Sequence, residues 1–205
     1  MKKITFLLSF AFVSLNTFAA VNASSLKLKV YGVAVSLTAD CANPIVLFDS
    51  TSPTEVDFVS APSLGSGDIA DGTYQCVMIN VSDQIKHTPA TTSGSCTAGT
   101  EYTGQICQPS ESTELRSGTA FGSNTSCTAG EDRVTLYLQT GTTRTSGGNA
   151  FRKPTTTADT TFGFQLGSAF VVSGTSTGTF VVNTDGKVDG SSSECGMNAP
   201  IFSFR

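Results

Sequence analysis

Charge is scarce in this 205-residue chain: 14% of its residues are Asp, Glu, Lys or Arg, against about 25% in a typical globular protein. Tryptophan is absent, and histidine occurs once, at His87. The residues that favour helices are thin, while Thr, Val, Phe and Gly abound, which excludes a coiled coil or a long helical protein. Twelve basic residues stand against 16 acidic ones, so the basic surface of a nucleic-acid binder is missing. No CxxC pair occurs, and one histidine cannot complete a zinc site. What the chain does have is a 39% apolar content, enough to build a core and to exclude a disordered chain.

The first residues read MKKITFLLSFAFVSLNTFAA. Lys2 and Lys3 precede an apolar run from Ile4 to Val13, and small residues follow. This is the three-part layout of a secretory signal peptide, and the run falls well short of the roughly 20 residues that span a bilayer. Residues 1–20 are therefore read as a signal peptide of bacterial type, cleaved after Ala19 or as late as Ala23. No cysteine lies near either cut, so a lipoprotein anchor has no support. No later apolar run approaches spanning length. The expected location is exported: periplasm, outer surface or secreted. Loss of Lys2 and Lys3 leaves 10 basic against 16 acidic residues and takes the net charge from -4 to -6. An acidic surface disfavours phosphate backbones and anionic headgroups.

All six cysteines, Cys41, Cys76, Cys96, Cys107, Cys127 and Cys195, fall in the mature part. An even count in an exported chain reads as three disulfides. The preferred set is Cys41 with Cys76, Cys96 with Cys107, and Cys127 with Cys195. Only the first has a structural argument: it would tie the end of the first strand to a central one.

That first strand, LKLKVYGVAVSL from Leu26 to Leu37, places apolar residues at Leu26, Leu28 and Val30 and then at Val33, Val35 and Leu37. The change of phase across Gly32 predicts a β-bulge, whose extra residue returns one face to the core. Strands are predicted at Ile45 to Phe48, Glu55 to Val59 and Thr73 to Val81. The last is apolar on both faces and hence central, with Cys76 on the side of Tyr74 and Met78. Arg133 to Leu138 alternates as a half-buried strand, and TFGFQLGSAFVV supplies more. TGTFVV, turning through Asn183-Thr184-Asp185-Gly186 into Lys187 and Val188, reads as a hairpin. Ile201 to Phe204 forms a final strand.

Eight to ten strands without a convincing helix predict an all-β fold, an antiparallel Greek-key β-sandwich with disulfide-stapled long loops. Residues 24–205 form one domain with a Cys-rich loop insertion at about 88–130. Within that insertion, Ser95-Cys96-Thr97-Ala98-Gly99 recurs as Ser126-Cys127-Thr128-Ala129-Gly130, a short repeat compatible with a duplicated loop.

Catalytic signals are few. His87, in QIKHTPA, is read as a surface histidine at a strand end, since no nucleophile motif accompanies it. Ser24-Ser25-Leu26-Lys27 matches SxxK only as serine-rich sequences do by chance. Asn183, Asp185 and Asp189 resemble the middle of a calcium loop, but Val181 and Ser192 stand where its first and closing carboxylates belong. Hence no metal and no cofactor is expected. Acid pairs at Glu131-Asp132, Asp68 with Asp71, and Glu111 with Glu114 leave open the geometry that glycoside hydrolysis requires. Tyr102, in the Cys-rich insertion, is the candidate for an exposed binding contact.

The stretch VYGVAVSLTADC, continuing through EVDFVSAPSLGSGDIADGTYQCVMINVSD, resembles exported bacterial surface domains of prealbumin-like, Greek-key form, which often place a DGTY-type turn before a central strand. The likeness covers about a third of the chain and implies a fold and an envelope location. Cys41, Cys76 and the penultimate Phe204 also resemble the early cysteine, partner cysteine and penultimate aromatic of chaperone-usher fimbrial subunits. Four further cysteines, Cys195 among them, depart from that pattern. The resulting expectation is an exported, non-enzymatic binding or adhesion module with an unknown protein or glycan ligand. The alternatives are an assembly subunit that works by strand addition and a secreted hydrolase.

Overall fold

The structure, a computed structural model, describes residues 19–60, 69–106, 121, 133–140, 152–174, 180–191 and 193–204. The signal segment before Ala19, Cys107, Cys127, the second copy of the short repeat, Asp68, Glu111, Glu114, Glu131 and Asp132 lie outside the described residues.

The protein is all-β, its one helical element among the described residues being a 3-10 turn at Phe58–Ser60. The strands are Ala23–Ser36 (β1), Ile45–Asp49 (β2), Glu55–Asp57 (β3), Gly72–Tyr74 (β4), Cys76–Ser82 (β5), Gln84–Pro89 (β6) and Tyr102–Gln105 (β7). Arg133–Gln139 (β8), Phe164–Gln165 (β9), Phe170–Val172 (β10), Phe180–Asn183 (β11), Val188–Asp189 (β12), Gly196–Met197 (β13) and Ile201–Phe204 (β14) follow.

β4 with β10, β11 with β14 and β12 with β13 form separate pairs, while the eight-stranded main sheet is organised on β1. One edge pairs antiparallel with β5 and then β6, which run consecutively along it. The other edge pairs with β2 and β3. Outside this ribbon β8 flanks β5 and β7 flanks β6. The predicted bulge is present: the register steps from Val30 opposite Val81 to Gly32 opposite Asn80, leaving Tyr31 as the extra residue. Leu26, Leu28 and Val30 before it and Val33 and Val35 after it therefore enter the same core. That is the physical meaning of the phase change in the sequence.

The core also takes Val77, Ile79 and Val81 of β5, Phe58 of the 3-10 turn, and a C-terminal aromatic layer. Phe180 meets Phe58 edge-on at 5.8 Å and stacks on Phe202 at 5.7 Å, while Phe164 meets Phe202 edge-on. Each buried ring contributes roughly 1.5 to 3 kcal/mol, so this layer holds residues from both halves of the chain together. A second cluster, on the opposite face of the sheet, joins Ala34, Cys41, Cys76, Met78, Phe121 and Tyr137.

Several expectations need correction. Thr73 to Val81 is not one strand: it breaks at Gln75, whose N–H donates to the Ser36 carbonyl at 3.0 Å. The break sends Tyr74 into the main core but Cys76 and Met78 into the second cluster. β8 is not half-buried, because that second cluster covers its outer face, and Thr135 and Tyr137 are fully buried. The turn at Asn183 to Gly186 forms, but its flanking strands pair elsewhere, β11 with β14 and β12 with β13. Beside β14, Phe180 and Val182 join Phe202 in the main core, and beside β13, Val188 packs against Cys96 and Cys195. Finally, β8 and β9 pair in parallel, so the sheet is not wholly antiparallel.

Candidate functional site

Cys41–Cys76 forms as expected, between the loop after β1 and the start of β5. The remaining preferred pairs do not. Cys96 bonds Cys195 across 99 residues, with a Cα–Cα distance of 4.8 Å, in place of both Cys96–Cys107 and Cys127–Cys195. The cause is a local turn at residues 93–96. Ser93 and Cys96 exchange both backbone hydrogen bonds, and Ser95 donates to the Gly190 carbonyl at 3.1 Å, which brings Cys96 against the β12–β13 pair. There Cys96 packs with Ala23 and Val188, and Val21 and Cys195 complete the cluster.

His87 adjoins this cluster at Cys195 and is not on the surface. It lies within β6, opposite Leu26 of β1 and Tyr102 of β7, and is only 2% exposed. Direct opposition across the β6–β7 ladder is what stacks its ring on Tyr102, at 5.8 Å and an interplanar angle of 22°. Its Nε2 sits 3.6 Å from the Cys195 sulfur. Among the described residues its Nδ1 has no hydrogen-bond partner. Burial pushes the imidazole below its ordinary pKa and keeps it neutral near pH 7. The carboxylate that would orient a catalytic histidine is therefore not at Nδ1.

Tyr102 is half-buried. Its hydroxyl accepts from the Thr97 N–H at 2.8 Å and donates to the Ser95 carbonyl at 3.2 Å, so it ties down the loop that carries Cys96. At the other candidate positions, Asn183 Oδ1 accepts from the Asp185 N–H and Asp189 Oδ1 from the Ser191 N–H, each at 2.8 Å. The bond from the Ser191 N–H, together with that from its side chain, holds the Asp189 carboxyl below its usual range. Among the described residues, no three of His, Cys, Asp and Glu gather as a metal site. Asp71, the described member of its acid pair, accepts from the Gly174 N–H at 2.9 Å.

A different surface stands out on the β2–β3 edge. Ile45 and Val46 of β2 are 41% and 49% exposed, and among the described residues β2 pairs only with β1. The β3 half of the same edge is guarded: Glu55 binds Lys86, and Asp57 accepts from Ser25 and Leu26. Charge is the usual protection of a free edge, and β2 carries it only at Asp49. Sequence reasoning found β2 as a strand but not as an edge, because edge position depends on pairing that no local pattern encodes.

No family model, no curated protein and no solved structure matches the chain.

Proposed function

We propose that the chain is an exported, non-enzymatic binding module of the cell envelope or surface, taking a protein or glycan partner. Export is supported by the signal-like N-terminus and by two disulfides. Among the described residues no helix is long and apolar enough to cross a membrane. A non-catalytic role is supported by the histidine, whose ring nitrogens, among the described residues, meet a disulfide sulfur and no hydroxyl or carboxylate.

The observation that carries the binding reading is the β2 edge, where Ile45 and Val46 lie exposed on a strand that, among the described residues, pairs only with β1. Such an edge accepts an added strand from a partner, with main-chain hydrogen bonds giving affinity and side chains giving selectivity. The same observation favours the second reading, an assembly subunit joined by strand addition.

The test compares labelled mature protein with its Val46→Lys variant for retention on intact cells and on arrays of surface glycans and exported proteins. Saturable retention that the variant loses by tenfold or more supports the module. Absent retention, or equal retention by both, refutes it. Size-exclusion chromatography at high concentration separates the second reading, since a stable lone monomer is incompatible with a self-assembling subunit.

A further inference from the structure

The two bridges differ in access and in surroundings. Both sulfurs of Cys41–Cys76 belong to residues that are fully buried, at 1% and 0% exposure. In Cys96–Cys195 only Cys96 is buried, against Ala23 and Val188, while Cys195 is half-exposed and follows the exposed Ser193 and Glu194. The half-exposed cysteine is also the one whose sulfur faces a histidine nitrogen, His87 Nε2 at 3.6 Å. With Nδ1 buried and without an acceptor, the tautomer that leaves no buried N–H stranded carries its proton on Nε2, aimed at Cys195. The stack on Tyr102 holds the ring in that orientation.

We propose that Cys195 is a thiol-exchange site, the sulfur through which the Cys96–Cys195 bridge opens and closes with small thiols, and that His87 is its positioning residue. In opening, an external thiol attacks the Cys195 sulfur as its thiolate, and a mixed disulfide forms there. Cys96 departs as a thiol carrying the proton that the external thiol lost, so that no Cys96 thiolate persists in the apolar pocket. A second external thiolate attacks the outer sulfur of the mixed disulfide, releases the small-molecule disulfide, and leaves Cys195 as a thiolate that accepts the His87 Nε2–H. Two external thiols are thereby oxidised and one protein bridge is reduced. Closing runs the same steps backward, with the Cys195 thiolate attacking a small-molecule disulfide and Cys96 resolving the adduct. An apolar pocket disfavours a Cys96 thiolate, while a directed N–H donor stabilises the one on Cys195, so the outer cysteine is the nucleophile.

Opening has a structural consequence. The bridge fastens the 93–96 turn to β13, β13 pairs β12, and Val188 of β12 bridges Val21 ahead of β1. Exchange at Cys195 therefore loosens the strap over the start of β1 while the Cys41–Cys76 end of the sheet stays closed.

The experiment exposes the folded mature protein to graded reduced glutathione, quenches with acid, alkylates, and maps peptides by mass spectrometry. The expected result is one glutathione on Cys195 and an alkylated Cys96 at concentrations that leave Cys41–Cys76 intact, with opening at least about tenfold faster than at the buried bridge. An adduct on Cys96, or both bridges opening together, overturns the proposal, and this arm needs no variant. In a second arm, His87→Phe keeps an aromatic ring against Tyr102 but lacks the N–H. After selective reduction its Cys195 should alkylate several-fold more slowly at pH 7 than in the wild type, with Cys41–Cys76 still closed as the control for folding. Equal rates overturn the role given to His87.

Discussion

Val21 and Val188 exchange both of their backbone hydrogen bonds, each at 2.8 Å, so the chain is stitched into the fold two residues ahead of β1. The neighbouring contacts reinforce this. The Asn22 side chain accepts from the Gly186 N–H, the Asn22 carbonyl accepts from Ala90, and Ala23 is buried beside Cys96. Cleavage after Ala23 would remove all of these and uncover the Cys96–Cys195 cluster. On the export proposed above, N-terminal sequencing of the processed chain should therefore read from Ala20, the product of cleavage after Ala19. A mature chain that begins at Ser24 would contradict the integration seen here.

Gly190 is required by a close approach rather than by its backbone angles. A Cβ at this position would overlap the Ser93 carbonyl oxygen and lie 3.1 Å from the Cys96 nitrogen. Neither is a flexible side-chain end, so the 93–96 turn itself would have to move. Gly190→Ala should cost about 2 to 3 kcal/mol, as overpacking of a tight site does. Gly99 is the contrast: nothing lies within 4 Å of its Cβ position, although its φ of +75° favours glycine. Gly99→Asn should cost less, about 1 kcal/mol or under, because only the backbone angle opposes it and Asn adopts that region more readily than most residues. Urea unfolding midpoints of the two variants should separate clearly, and equal midpoints would refute the close-approach argument.

His87 should make stability depend on pH in a definite window. Burial lowers its pKa in the folded state, so near the ordinary value of about 6.5 the unfolded chain binds a proton that the folded chain refuses. The contribution of the neutral imidazole is thus fully present above about pH 6.5 and is lost as pH falls below it, at no more than about 1.4 kcal/mol per pH unit. Asp159 and Asp189 are held below the ordinary carboxylate range, so their contributions fade only at lower pH. Because His87 is the chain's one histidine, thermal midpoints of the wild type should drop between pH 7 and pH 5, while those of His87→Phe stay level. Parallel declines would remove the assignment.

Much of β1 could be read from periodicity because a bulge writes itself into the sequence as a phase change, and Leu26, Leu28, Val30, Val33 and Val35 share one core as that pattern requires. The Cys41–Cys76 bond was legible for a similar reason, since both cysteines flank recognisable strands. β7 was not legible: YTGQ has no apolar alternation, and it is a strand because β6 offers a free edge at Gln84 to His87. The hairpin reading of residues 180–188 failed because turn chemistry is local whereas strand partners are chosen by burial. Phe180 and Val182 reach the core only beside β14. The His87 site was invisible in principle, because His87 and Cys195 are 108 residues apart and no short-range signal marks their meeting.

Gly32 offers the sharpest test of the bulge. It follows the extra residue Tyr31, and at this point β1 has β2 on one side and β5 on the other. A Cβ here would lie 2.9 Å from the Phe48 carbonyl oxygen and 3.1 Å from the Phe121 ring. The first is backbone of the paired β2 strand and cannot yield without stretching the ladder, so Gly32→Val should destabilise the fold by about 1 to 3 kcal/mol. Deleting Tyr31 attacks the same feature from another direction. It removes the extra residue and inverts the facing of one half of β1, putting Lys27 and Lys29 inward or Val33 and Val35 outward. Circular dichroism with urea titration should find Gly32→Val folded with a lowered midpoint and the Tyr31 deletion without a cooperative transition. A deletion variant that still unfolds cooperatively near the wild-type midpoint would mean that the bulge does not set the register of β1.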